Sequence, residues 1–265
     1  MPLVPIERGD DPRIADYRDL GNGEGMRARG VFVAEGRFVV RRLITGGRFP
    51  VRSLLVTDAA LASLADVLPQ VRGAVPVYVA SKAILREATG FQFHQGCLAL
   101  GERPPTPTDA DTLLGGASPL VVLESITHAD NVGAIFRNAA AFGAGAVLLD
   151  PATVDPLYRE AIRVSMAATL QVPFARLADW PADLARLRVA GFVVIALTPR
   201  ADATPLHALP ACERAAWLVG SEGDGLSEAA LGCADLRARI PIVPAVDSLN
   251  VAAATAIALY AATPR

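Results

Sequence analysis

Short, unbroken apolar runs and longer stretches of helical spacing alternate along this chain. In the first hundred residues SLLVT (Ser53–Thr57), VYVA (Val77–Ala80) and CLAL (Cys97–Leu100) have the length and branching of strands, and helical patterns follow the first two. Glu35–Leu43 also carries helical spacing. Strands alternating with helices over so short a length predict a small α/β sandwich. The alternation is stronger from residue 119 onward. PLVVL (Pro119–Leu123), AVLL (Ala146–Leu149), FVVIAL (Phe192–Leu197), AAWLVG (Ala215–Gly220) and LRARI (Leu236–Ile240) read as buried strands with helical stretches between them, and a last helix is expected from about Asn250 to Ala262. Runs apolar on both faces, with helices between them, predict a parallel sheet covered on each side.

Between these halves lies RPPTPTDADTLLGGASP (Arg103–Pro119), with three prolines within four residues and a later Gly-Gly pair, the composition of a linker. The expected organisation is a domain over 1–103, a linker over 104–118 and a larger domain over 119–265. Charge divides along the same line: 1–103 holds 14 basic and 11 acidic side chains, and 104–265 holds 11 and 16. The formal net charge of -2 thus conceals +3 in the first part and -5 in the second. A uniformly basic nucleic-acid wrapper is excluded; local recognition by arginine is not. Lys82 is the one lysine among 25 basic residues. Guanidinium forks suit phosphate, but a composition rich in Ala, Gly and Pro accounts for the arginine excess without invoking function.

Cys97, Cys212 and Cys233 are odd in number and widely spaced, and only three histidines accompany them, so neither a disulfide framework nor a metal site is expected. The uncharged stretch Ser248–Pro264 contains Ser, Asn and Thr. It falls short of the roughly 20 apolar residues of a membrane span and reads as a core helix. MPLVPIERGDDPR has no basic-then-apolar leader, so a cytoplasmic protein is expected.

In parallel α/β sheets ligands gather outside the carboxyl ends of strands. Three such ends carry polar residues. After PLVVL comes ESITHADNVGAIFRNAAAFGAG, in which Asn131 is placed to cap a helix and Arg137 follows less than two turns later. After AAWLVG, the run Gly220-Ser221-Glu222-Gly223-Asp224-Gly225-Leu226-Ser227 interleaves glycines with two carboxylates, which argues against a pyrophosphate and for a cationic or hydroxyl-bearing ligand. After the last strand, IPIVPAVDSLNVAAATAIALY (Ile240–Tyr260) places Ser248 and Asn250 at the start of an Ala-rich helix, where either can cap it and where small residues allow another segment to pack closely. Gly143–Gly145 follows a helix and precedes a strand, the reverse of a dinucleotide-binding turn.

NVGAIFR, LVGSEGDGLS and IP...DSLNVAAA, in this order and spacing, resemble motifs one, two and three of the SpoU (TrmH-type) branch of the SPOUT RNA methyltransferases, over roughly Leu120–Ala262. FVAEGRFVVRRLI (Phe32–Ile44) and HQGCLAL (His94–Leu100) make the amino-terminal part similar to the ribosomal-protein-L30e-like RNA-binding domain often fused to that family. The resemblance implies a carboxyl-terminal parallel-sheet SPOUT domain with a deep trefoil knot beside a smaller L30e-like α/β domain. It further implies S-adenosylmethionine held by the knot loops, a homodimer and methyl transfer to a ribose 2'-hydroxyl of RNA, with no metal.

Matched by position, Gly220, Ile240 and Leu249 are expected to hold the adenosyl part of the cofactor, with Leu197 and Thr198 lining the same pocket. Asn131 and Arg137 match the catalytic pair of motif one, Glu222 the glutamate of motif two, and Ser248 and Asn250 the polar pair of motif three. A guanidinium does not give up its proton near neutrality, so Arg137 is expected to orient the ribose or a phosphate and stabilise alkoxide charge. Asn131 would then hold Arg137 or the ribose, and Glu222 would fix Arg137 through a charge-assisted fork. Two departures from the family pattern stand out: His128-Ala129 where Asp-Pro is common, and Ser165-Met166-Ala167-Ala168 where Ser-x-Gly-Ala is common. Arg37, Arg41 and Arg42 are the expected RNA contacts of the amino-terminal domain. Ribosomal RNA is favoured over tRNA because a separate recognition domain suits a large folded target. The alternatives are a tRNA 2'-O-ribose methyltransferase and a non-catalytic knotted RNA-binding protein.

Overall fold

The computed structural model describes residues 2–18, 20–90, 96–116, 118–243 and 245–262. His94, Gln95 and Pro244, quoted above within motifs, lie outside them. The chain divides into two compact units, Met1–Pro105 with Leu157–Gln171, and Thr106–Pro156 with Val172–Arg265. Among the described residues no helix is long and apolar enough to cross a membrane.

The first unit is built on a five-stranded sheet of β1 (Leu3–Pro5), β2 (Val31–Glu35), β3 (Val51–Val56), β4 (Val77–Val79) and β5 (Cys97–Glu102), in the order β1-β4-β3-β5-β2. β1, β4 and β3 run parallel, and β5 is antiparallel to both β3 and β2. The three expected strands are β3, β4 and β5. The helices are α1 (Gly23–Ala28), α2 (Arg37–Gly46), α3 (Asp58–Ser63) and α4 (Lys82–Thr89). Thr57 and Ser81 open α3 and α4 by accepting from the backbone N–H groups of Ala60 and Ile84.

The expected helix over Glu35–Leu43 is corrected here, because β2 occupies Val31–Glu35 and α2 starts only at Arg37. Val31–Ala34 are four consecutive buried residues paired with β5, a run too short to announce a strand by periodicity. Gly36, at φ 93, makes the corner between the two elements, a conformation that a side chain resists. Cys97 is a core residue whose burial pushes its thiol up to about 12.

The second unit opens with α5 (Ala110–Leu114) inside the segment expected to be a linker; Asp109 caps it and Leu114 is buried in the core. β6 (Leu120–Leu123), α6 (Ala129–Ala141) and β7 (Ala146–Leu149) follow. The chain then contributes Leu157–Gln171, with α7 (Arg159–Val164), to the first unit. There Arg159 pairs with Glu35 at 2.7 Å and Arg42 donates to Gln171. This division differs from the continuous 119–265 domain drawn from the sequence, since apolar spacing does not say against which sheet a segment packs. Met166 and Ala167 turn the chain after α7 at φ 52 and 67, without glycine at either position.

Back in the second unit come β8 (Phe174–Arg176), α8 (Leu184–Val189), β9 (Val193–Leu197), β10 (Thr204–Pro205), β11 (Ala215–Val219), α9 (Glu228–Gly232), β12 (Leu236–Arg239) and α10 (Val251–Ala262). All seven strands are parallel, in the order β10-β12-β9-β11-β6-β7-β8. The five expected strands form the centre of this sheet. β8 and β10 are additional edge strands of three and two residues.

Leu120, Val122, Leu148, Val194 and Leu218 point to one face, where they pack with Leu184 and Leu187 of α8. Alternate residues turn to the other face, which α6 and α10 cover. Each such buried Val or Leu is worth about 1.5–3 kcal/mol relative to exposure. Asn138 of α6 donates to the Ala252 carbonyl of α10 at 2.8 Å, fixing the two helices side by side.

Candidate functional site

Because β9, β11 and β12 are adjacent and parallel, their carboxyl ends reach one edge of the sheet together. The Thr198 N–H extends the pairing by donating to Ala238, and the Glu124 N–H does the same with Val219. The residues just past these ends enclose a cavity of about 370 Å³. Leu197, Thr198, Gly220, Ile240 and Leu249, read from sequence as cofactor contacts, all line it, as do Glu222, Ser248 and Asn250. Leu197, Val219, Ile242 and Val251 supply apolar wall. Among the described residues that line it, Glu222 is the only formally charged side chain, so they offer no cation to a phosphate.

The loop after β11 closes on itself. The Gly225 N–H donates to the Ser221 carbonyl at 3.2 Å, and Gly223 and Gly225 take φ of 106 and 69. A Cβ on Gly220 would stand 2.3 Å from the carbonyl carbon of Gly225. Gly220 is therefore demanded by the loop's own backbone before any ligand is considered.

That folding presents Glu222 to α10. Nδ2 of Asn250 donates to Oε1 of Glu222 at 2.6 Å and to Oδ1 of Asn131 at 3.1 Å. Its Oδ1 accepts the N–H groups of Ala252 and Ala253, capping α10. One amide thus caps its helix and joins motifs one, two and three.

Two expectations are corrected. Asn131 does not cap α6, because that helix starts at Ala129 with His128 in the cap position. Its side chain is left to meet Asn250 instead. Nor does Glu222 fix Arg137: the carboxylate is taken by Asn250, and Arg137 lies six residues beyond Asn131, about 9 Å along the helix axis. Arg137 is exposed, lies outside the cavity lining and makes no hydrogen bond or ion pair among the described residues. In the first unit, Arg41 is engaged by Asp66 at 2.5 Å and by the Ser63 carbonyl, whereas Arg42 lies over the Phe38 ring at 5.0 Å. Arg37 is the first residue of α2.

Sequence reading passed over Glu124, the residue after β6. It is 5% exposed and accepts the indole N–H of Trp180 at 2.7 Å, the Ser227 N–H at 2.8 Å and the Ser227 hydroxyl at 2.6 Å. A lone glutamate after a strand has no spacing to announce such a role. Only the juxtaposition of β6 with β11 reveals it.

The SpoU rRNA Methylase family matches residues 118–260. An uncharacterized tRNA/rRNA methyltransferase of Mycobacterium tuberculosis is 43% identical over 261 residues, covering 96% of this chain and 89% of the relative. The 23S rRNA (guanosine(2553)-2'-O)-methyltransferase RlmP of Bacillus subtilis is 24% identical over 258 residues, covering 97% and 98%. Among solved structures, an AdoMet-bound rRNA methyltransferase from Sinorhizobium meliloti superposes with a TM-score of 0.81 at 25% identity, covering 98% of this chain and 97% of that one.

Proposed function

The chain belongs to the SpoU rRNA Methylase family, and from that premise we propose that it methylates a ribose 2'-hydroxyl of ribosomal RNA, in the cytoplasm and as a homodimer. The observation that carries this reading is the joining of all three motifs at one cavity through Asn250. S-adenosylmethionine fits that cavity chemically: it brings a cation and an adenosine rather than a pyrophosphate, and the lining offers apolar wall, strand-end backbone and one carboxylate. When bound, the cofactor supplies an activated methyl group.

The chain's own residues do the rest. Leu197, Thr198, Gly220, Ile240 and Leu249 hold the adenosyl part, with backbone groups at the last three making the polar contacts. Asn250, set by Glu222, keeps Asn131 at the rim, and Ser248 completes the polar edge. Arg137 keeps its proton and donates to the ribose or an adjacent phosphate, stabilising the alkoxide charge that develops on O2' as its proton passes to water. Arg37, Arg41 and Arg42 of the first unit, read as an L30e-like domain, contact RNA, Arg41 by exchanging its surface ion pair with Asp66 for a phosphate.

The homodimer is supported from α10, which has no charged residue on any face. One side is buried in the unit, yet Ile257 and Tyr260 on the other are 39% and 62% exposed, and Val243 and Val246 before the helix are 65% and 47% exposed. An apolar face of this kind calls for a cover. A second copy covers it and brings its Arg137 to a cavity that this chain's Arg137 does not line. A trefoil knot around the motif-three segment belongs to the same proposal.

The deciding experiment maps 2'-O-methylated nucleotides of total RNA from a deletion strain against wild type, then restores the missing modification in vitro with purified protein. Loss of a ribosomal RNA 2'-O-methyl group is expected. A lost tRNA mark would redirect the substrate, and no lost mark together with no transfer in vitro would leave a non-catalytic RNA binder.

A further inference from the structure

Glu124 closes a circuit that the three motifs leave open. It follows β6 directly, and its carboxylate accepts both the N–H and the hydroxyl of Ser227, the residue that ends the motif-two loop and caps α9. From Ser227 the loop leads back to Glu222, Glu222 accepts from Asn250, and Asn250 donates to Asn131 on α6. α6 begins five residues after Glu124. The path from β6 through the loop, α10 and α6 back to β6 is thus a ring of hydrogen bonds and short chain segments beside the cavity.

A carboxylate 5% exposed carries a large desolvation cost unless donors surround it. Two of its three donors come from Ser227 and one from Trp180. Ser227 turns its hydroxyl to Glu124 while its oxygen accepts the Ala230 N–H, so it is held from both sides. An apolar residue at 124 would fill this space without gripping the loop.

We propose that Glu124 is a positioning residue for methyl transfer: by clamping Ser227 it sets the motif-two loop, and through Glu222 and Asn250 it sets the cofactor wall and Asn131. The inference rests on the reading of the cavity as the S-adenosylmethionine site. Glu124 itself lies outside the cavity lining.

The test is Glu124→Gln, which keeps shape but turns an N–H₂ toward donors that need an acceptor. S-adenosylmethionine binding by calorimetry, kcat, KM for RNA and thermal melting are measured on wild type and variant. Cofactor affinity should fall on the order of tenfold and kcat by a similar factor, with KM for RNA unchanged. Combined with Glu222→Gln, the loss in kcat should be well below the product of the single losses, because both act through one chain of contacts. Ser227→Ala should repeat the split more weakly and Ser227→Thr, which keeps the hydroxyl, should restore it; this pair decides the matter if Glu124→Gln does not fold. A folded Glu124→Gln protein with wild-type cofactor affinity and kcat, a multiplicative double variant, or a Ser227→Ala protein without the split would each overturn the clamp. Wild-type protein that binds no S-adenosylmethionine would instead overturn the reading of the cavity.

Discussion

The two ends of α6 stand in contrast. At its first turn Asn131 is tied to Asn250 and through it to Glu222, beside a cavity lined by residues of the same chain. Less than two turns on, Arg137 is exposed and unengaged among the described residues. On the proposed reading, one helix carries a part that is already in place and a part that engages only RNA or a second copy. A cofactor site gains from being built in advance, since ordering costs are met during folding. A group meant for RNA gains from having no internal partner to give up.

If that contrast is sound, its two ends fail differently. The largest effect is expected from Arg137→Ala, where turnover should fall on the order of 10²–10³-fold, the scale for loss of one charge-stabilising donor. Cofactor binding by calorimetry should stay within about twofold, since Arg137 is proposed to act on the RNA and is not among the residues proposed to hold the adenosyl part. Near-normal methylation by this variant would end the assignment. Leu249→Trp reverses the pattern by filling the cavity: S-adenosylmethionine affinity should drop at least about tenfold while melting shows a folded protein. If affinity is unchanged, the cavity is not the cofactor site.

Ile257→Glu places a charge on the apolar outer face of α10. Light scattering should report dissociation to monomer, and activity should fall with it because Arg137 of a second copy is lost. A fully active monomer would break the contrast, showing that Arg137 needs no second chain. Asn131→Ala should lower kcat by about tenfold, less than Arg137→Ala, because Glu222 still holds the Asn250 amide.

The smallest effect serves as a control. Ala167 sits at φ 67, where the family pattern has glycine. Ala167→Gly should raise stability by about 1 kcal/mol, seen as a rise in Tm of about 2–4 °C, while leaving cofactor affinity untouched. A lowered Tm would show that the methyl group of Ala167, fully buried, packs better than its backbone suffers.

Much of this was legible in the residues. Unbroken apolar runs announced the five central strands of the parallel sheet, because strands covered on both faces must be apolar throughout. The residues that line the cavity were legible through the resemblance of the second and third strand-end loops to SpoU motifs, which puts Gly220, Ile240 and Leu249 in one pocket. What misled was local ambiguity. Asn131 looks like a cap because Asn commonly is one, yet α6 starts two residues earlier and frees its side chain. Val31–Ala34 carry no strand expectation and Glu35 is drawn into the following helix, since four buried residues fit either period and only pairing with β5 decides. Residues 157–171 read as part of one continuous domain, because an apolar face does not name the surface it will meet.

By itself the sequence determined the five central strands of the parallel sheet, three strands of the first unit and the polar residues near their ends, since these depend on neighbours along the chain. Tertiary structure alone decided who meets whom. Glu222 appeared free to grip Arg137 until the folding of its loop set it against Asn250, and Glu124 had no visible partner until β6 lay beside β11. Hydrogen bonds across 103 or 119 positions of separation depend on strand order and helix packing. Neither is written in local spacing.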